Sequence, residues 1–186
     1  MPSISPLAVL RTTALLATVA AFVPAHAQLK PGAVFVQAGA GEEGLSAASV
    51  GVLWPWSWRA QALGGQWSVN TELFASSWRA DAAGGGSRSY VQLGLVPLVR
   101  YTFDEGRSPW FAEIGIGISV LDRRFATPAK TFGTTWNFTD NLAIGRSFGA
   151  KGEHEISLRW QHTSNGGLKQ PNPGLDAGLV RYTRRF

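Results

Sequence analysis

The chain has 186 residues, of which 45% are hydrophobic and only 16% are charged, and its formal net charge is +5. A soluble domain usually carries about 25% charged residues, so this composition is unusual for one. The basic residues are scattered rather than grouped, which argues against nucleic-acid binding. Cysteine is absent, which excludes a disulfide framework, a thiol catalyst and a Cys-ligated metal site.

Residues 1–27 have the form of a secretory signal peptide. Arg11 precedes an apolar run over residues 12–23, and the Ala-His-Ala sequence at 25–27 fits the small-residue cleavage pattern. A membrane anchor is the alternative, but the run is shorter than the ~20 residues that a spanning helix needs. We therefore expect the mature chain to form a single domain over residues 28–186.

The mature chain alternates between apolar and polar residues with a period of two, and turn residues separate the alternating segments. Most segments reach the ~9–11 residues that a tilted strand needs to cross a bilayer. Eight such strands predict an all-β, antiparallel, up-and-down transmembrane β-barrel, whose closure removes the sheet edges. A soluble periplasmic β-domain is the alternative. The predicted strands cover residues 32–40, 46–54, 66–78, 89–103, 110–121, 134–148, 153–163 and 175–186.

An even strand number places both chain ends on the periplasmic side of the outer membrane. The connections after strands one, three, five and seven are then extracellular. The chain ends in Phe186, preceded at alternate positions by Tyr182 and Val180, which resembles the assembly signal of bacterial outer-membrane barrels; Arg184 departs from that pattern. We expect Phe186 to engage the barrel-assembly machinery, with an ordinary aromatic terminus as the alternative.

The seventh strand carries two reactive side chains on its apolar face. His162 and Ser164 share that face with Leu158 and Trp160, and the parity of the eighth strand places Asp176 on the same side. In a small barrel the apolar face meets lipid, where an ionisable group is costly. A serine, a histidine and an acid are the parts of a serine hydrolase, whose substrate would here be an ester in the outer leaflet. Ordinary residues at the lipid–water boundary are the alternative.

One further carboxylate shares the parity of lipid-facing residues. Asp140 alternates in phase with Phe138 and Leu142 in the sixth strand. This placement predicts either a bulge that shifts the register or a structural partner for Asp140.

The segment 162–172, His-Thr-Ser-Asn-Gly-Gly-Leu-Lys-Gln-Pro-Asn, closely resembles the signature of the lipid A 3-O-deacylase (PagL) family, and residues 132–140 resemble another block of that family. The resemblance implies an eight-stranded outer-membrane barrel, often a homodimer, that removes the acyl chain at position 3 of lipid A without a cofactor or metal ion. It implies His162 as the general base and Ser164 as the nucleophile. The family's acid is a Glu that maps onto Asp176, so the sequence departs from the family there.

The remaining candidates surround these residues. Asn165 and the backbone N–H groups of Gly166 and Gly167 are candidates for the oxyanion hole, because small residues let a carbonyl approach backbone donors. Four predicted extracellular cations are candidates for contacts with lipid A phosphates, with solvated loop charges as the alternative. The predicted chemistry is acyl transfer to Ser164 and then to water, and a non-enzymatic structural or adhesive barrel is the competing function. The cations are Arg123, Arg124, Lys130 and Lys169.

Overall fold

The computed structural model describes residues 30–186, so the predicted signal peptide over residues 1–27 lies outside the described residues. Eight antiparallel strands follow one another around a closed barrel, in which β8 pairs with β1. The predicted eight-stranded barrel is thus confirmed. No helix in this part of the chain is long and apolar enough to cross a membrane. The strands are β1 (Ala33–Gly41), β2 (Ser46–Ala62), β3 (Gly65–Asp81), β4 (Ser87–Phe103), β5 (Trp110–Leu121), β6 (Trp136–Phe148), β7 (His154–Ser164) and β8 (Leu175–Arg185).

The outer surface of the barrel is apolar because alternate side chains of every strand point away from the lumen. In β5, for example, Ile114, Ile116 and Ile118 are each more than half exposed. Burial of polar side chains inside and exposure of apolar ones outside is the reverse of a soluble domain. It is the pattern of a transmembrane barrel.

The middle of the lumen is filled by a network of buried ion pairs. Arg100 binds Glu155 through both terminal guanidinium nitrogens, at 2.6 and 2.8 Å, and Glu113 at 2.8 Å. Arg181 makes a two-point contact with Glu72 at 2.6 and 2.9 Å. Planar pairs of this kind are the strong form of charge-assisted hydrogen bond. They join strands from opposite sides of the barrel.

An apolar cluster closes one end of the lumen. Residues 122–135, which connect β5 to β6, place Phe125 and Phe132 inside, where both are buried. The Phe125 ring packs against Tyr90 and Trp78 with centroid separations of 5.1 and 6.0 Å. We term this end of the barrel the loop end, and it also carries the connections over residues 42–45, 82–86 and 165–174.

The second strand is longer than the sequence predicted. We expected β2 to end at Trp54 and residues 55–65 to form a connection, but the strand continues to Ala62. The prediction was wrong because a register shift between Pro55 and Arg59 accommodates the proline, which has no N–H for the ladder. The β2–β3 connection is consequently a two-residue turn, Leu63-Gly64, with φ angles of 57° and 74°.

Candidate active site

Three ionisable side chains stand side by side on the outer face near the loop end. His162 of β7 pairs directly with Asp140 of β6 and with Asp176 of β8. The register of β6 is continuous on both sides of Asp140, so no bulge turns this residue inward. Within residues 30–186 its carboxylate makes no hydrogen bond, and it lies half-buried beside the histidine.

His162 is held in one orientation by its neighbours. Its Nδ1 lies 2.7 Å from Oδ1 of Asp176, and a carboxylate can only accept, so Nδ1 carries the proton and Nε2 is left as the acceptor. The ring stacks on Trp160 with centroids 5.9 Å apart. It also lies against Gly174, where a Cβ would come within 2.7 Å of the imidazole Cε1. Gly174 has a φ of 67°, so its position favours glycine on both grounds.

Ser164 is the last residue of β7 and is only 8% exposed. Its Oγ accepts a hydrogen bond of 3.4 Å from the N–H of Gly166. It lies two residues after His162 on the same face of the strand. In the described part of the chain, however, no hydrogen bond joins the two side chains. The structure therefore brings His162 and Asp176 into contact and places Ser164 beside them.

Asn165 organises the turn that follows Ser164. Its Nδ2 donates to the carbonyl of Lys169 at 2.6 Å, and its Oδ1 accepts from the N–H of Gly167 at 3.1 Å. Its own N–H donates to Oδ1 of Asn172 at 2.8 Å. The donors of Asn165 and Gly167 are thus engaged within the turn. Of the three oxyanion candidates, Gly166 has its N–H directed at Ser164.

The four candidate cations have different surroundings. Lys130 donates to Oε2 of Glu42 at 2.6 Å and to the carbonyl of Gly174 at 3.1 Å. Arg123 pairs with the adjacent Asp122 at 2.8 Å. Arg124 and Lys169 are exposed at the loop end. These last two are the candidates best placed to meet an external anion.

Glu42 is a site neighbour that the sequence did not indicate. It lies in the β1–β2 connection, and its Oε2 accepts the backbone N–H of Asp176 at 2.9 Å. The hydrogen bond from Lys130, followed by that from the Asp176 N–H, holds the pKa of Glu42 below its ordinary value. The carboxylate therefore stays ionised at neutral pH and keeps both donors.

A shallow apolar groove of about 570 Å³ runs along the outer face, and Trp160 and Gly178 are among the residues that line it. Trp160 and Gly178 form the cross-strand pair adjacent to His162 and Asp176, and Leu158 and Val180 form the next pair. A Cβ on Gly178 would meet nothing within 4 Å, so the missing side chain leaves the groove open. The groove thus ends one outward-facing residue pair away from His162 and Asp176.

A closed antiparallel barrel with an apolar outer surface and a charged, filled lumen is the architecture of an integral outer-membrane protein. Residues 44–185 match the family model described as lipid A 3-O-deacylase (PagL). The chain is 36% identical over 137 residues to lipid A deacylase PagL of Bordetella bronchiseptica, covering 71% of each protein. It is 30% identical over 138 residues to lipid A deacylase PagL of Pseudomonas aeruginosa, covering 72% of this chain and 74% of that protein.

The same likeness extends to three dimensions. The crystal structure of the outer membrane enzyme PagL matches with a TM-score of 0.71 and 26% identity, covering 83% of this chain and 99% of that one. The chain therefore belongs to the lipid A 3-O-deacylase family, which confirms the resemblance noted in the sequence. It is an enzyme of the bacterial outer membrane, rather than the non-enzymatic structural or adhesive barrel that was the competing prediction.

Proposed function

We propose that the protein hydrolyses the 3-O-linked acyl chain of lipid A through Ser164, His162 and Asp176, on the lipid-facing side of the barrel. The 2.7 Å contact between His162 Nδ1 and Asp176 Oδ1 carries the proposal. A base whose second nitrogen is held by an acid is the arrangement that activates a serine hydroxyl. Membership of the family supports the choice of substrate.

The first half of the reaction transfers the acyl group to the enzyme. Ser164 Oγ attacks the ester carbonyl carbon while His162 Nε2 takes its proton, and the ionised Asp176 stabilises the resulting imidazolium. Hydrogen bonds between nucleophile and base commonly tighten only when substrate is bound. This is consistent with the lack of a hydrogen bond between the Ser164 and His162 side chains in the described part of the chain. The N–H of Gly166, 3.4 Å from Oγ, is the proposed donor to the oxyanion.

The first half ends when the ester C–O bond to the sugar breaks and the imidazolium of His162 gives its proton to the leaving sugar oxygen. The second half releases the fatty acid. Water then attacks the acyl-serine carbonyl as His162 takes one of its protons. The bond between the acyl carbon and Ser164 Oγ then breaks as His162 gives this proton to Oγ, which frees the carboxylic acid and restores the Ser164 hydroxyl.

The placement on the outer face supports a substrate that is itself a membrane lipid. An acyl chain lying in the groove beside Trp160 and Gly178 would have its ester at the level of the catalytic residues. With the loop end extracellular, this level corresponds to the outer leaflet. Arg124 and Lys169, exposed at that end, are the proposed contacts for the lipid A phosphates.

A serine-directed alkyl phosphonate tests the proposed nucleophile. We expect one phosphonyl group on Ser164, located by peptide mass spectrometry, because an activated serine attacks phosphorus and displaces the leaving group of the phosphonate, as it displaces the alcohol of an ester. His162→Asn should slow the labelling by about 100-fold or more, since it removes the base. Ser77→Ala, on the outer face of β3, is the matched control and should label normally. Labelling of another serine, or of the Ser164→Ala variant, would contradict the proposal.

Substitution of Gly178 by Phe tests the role of the groove. The added ring has room on the outer surface, so the barrel should fold, but it would occupy the path of a long acyl chain. We expect turnover of long-chain esters to fall about 10-fold or more relative to short-chain esters, as for other altered apolar pockets. Ser77→Phe introduces the same ring on the outer face of β3 and should not change that ratio. Equal effects on both ester classes would rule out the groove as the acyl-chain site.

A further inference from the structure

The start of β8 is held by two side chains from distant parts of the chain. Oε2 of Glu42 accepts the N–H of Asp176 at 2.9 Å and the ammonium of Lys130 at 2.6 Å. The same ammonium donates to the carbonyl of Gly174 at 3.1 Å. We term Glu42 and Lys130 the clamp. It joins the β1–β2 connection, the β5–β6 loop and the β7–β8 connection.

The clamp fixes the main chain from which the Asp176 carboxylate projects. The two peptide groups that it binds lie on either side of Leu175, whose side chain is buried in the apolar cluster. The carbonyl of Asp176 also accepts the N–H of Glu42, at 3.1 Å. Both main-chain polar groups of Asp176 are therefore bonded to Glu42, and the peptide cannot rotate without breaking one of these contacts.

The position of Asp176 makes such support necessary. It is the second residue of β8, and this strand begins directly after the ten-residue connection over 165–174. Disorder concentrates in such exposed connections and at the ends of the elements that they join. An aspartate has a short side chain, so it cannot compensate for movement of its backbone. A displacement of about 1 Å at a reacting group can lower the rate on the order of 100-fold.

We propose that Glu42 and Lys130 are positioning residues that hold Asp176 against His162. This inference rests on the proposed function of the His162–Asp176 pair. It gives Lys130 a different role from the phosphate contact that the sequence predicted, because its ammonium is already bonded to Glu42 and Gly174. Neither clamp residue touches the reacting atoms.

The clamp is tested by kinetics of the full chain in vesicles that contain lipid A. We expect Glu42→Gln and Lys130→Met each to lower kcat about 10-fold with little change in KM, because they loosen the acid rather than remove a substrate contact. The kcat of the variant with both substitutions should be no lower than that of the less active single variant, since both substitutions act through one contact. Lys130→Arg should recover most of the activity, because a guanidinium can donate to both acceptors. Lys151→Met, in the β6–β7 turn at the opposite end, is the control.

The His162 imidazole provides a readout that does not depend on hydrolysis. In labelled protein, the Nδ1 proton bonded to Asp176 should give a downfield NMR resonance, and both clamp variants should shift or broaden it as Asp176→Ala does. An unchanged resonance and unchanged kcat in both clamp variants would overturn the inference. A raised KM in Lys130→Met alone would also overturn it, by assigning Lys130 to substrate binding. If instead the proposed function were wrong, Ser164→Ala would remain active while the clamp variants still shifted the resonance.

Discussion

Replacement of Ser164 by Ala should abolish removal of the 3-O-linked acyl chain while leaving the barrel folded. Within residues 30–186 the hydroxyl makes a single long hydrogen bond, 3.4 Å from the Gly166 nitrogen, so its loss should cost little stability. Its loss should lower kcat by about 10⁴-fold or more, because the proposed acyl intermediate forms on this hydroxyl. Mass spectrometry of lipid A from cells that express each variant measures the effect.

Ser157→Ala is the matched control for this experiment, because Ser157 lies on the same strand but is buried in the lumen. Lipid A from cells that express Ser157→Ala should lose the acyl chain, as it does in cells that express the unmodified protein. His162→Asn should resemble Ser164→Ala, and the double variant should be no less active than either single one, because residues that act as a unit are not additive. Deacylation by Ser164→Ala would remove this serine from the mechanism.

Replacement of Glu113 by Gln should strongly destabilise the barrel. Glu113 is buried, and its two carboxylate oxygens bind Arg100 and Arg159 at 2.8 Å each. The Arg159 side chain is fully buried, and its nearest other carboxylate, Glu72, is 4.0 Å away. Removing one partner from a buried ionic network costs about 3–5 kcal/mol, because a charge is left uncompensated. Urea unfolding in lipid vesicles, followed by tryptophan fluorescence, measures the difference.

The control for the ionic network is Glu105→Gln, which removes an exposed ion pair with Arg107 at the end of the barrel opposite the loop end. Exposed pairs contribute little to stability, so we expect no measurable change. Unfolding of Glu113→Gln at the same urea concentration as the unmodified protein would contradict this prediction. It would mean that water in the lumen can replace the Glu113 carboxylate as the partner of Arg159.

The barrel could be predicted because lipid imposes a simple pattern on the sequence. Each strand must be apolar on its outer side, so the period of two and the strand number were both visible. The end of β2 could not be predicted, because Pro55 and its neighbours are typical of a connection when the partner strand is not considered. A register shift against β3 keeps this segment in the sheet, and such a shift depends on two strands rather than one.

The site was predictable in part for the same reason. Parity alone put His162, Ser164 and Asp176 on one face, and their assigned roles in catalysis stay predictions. The contacts of Glu42 could not be foreseen, because Asp176 lies 134 positions further along the chain. They depend on closure of β8 against β1 and on the packing of the loop over residues 122–135. No local sequence pattern encodes these long-range contacts.

The filled lumen has a consequence for the cell that makes this protein. Over residues 30–186, ion pairs occupy the middle of the barrel and the buried rings of Phe125 and Phe132 lie at its loop end, so side chains fill the interior. The interior of an eight-stranded barrel is just wide enough for side chains to fill, so we expect expression of the protein to leave the solute permeability of the outer membrane unchanged. The proposed site lies on the outer face, so a lipid substrate would reach it by lateral diffusion in the membrane rather than through the lumen.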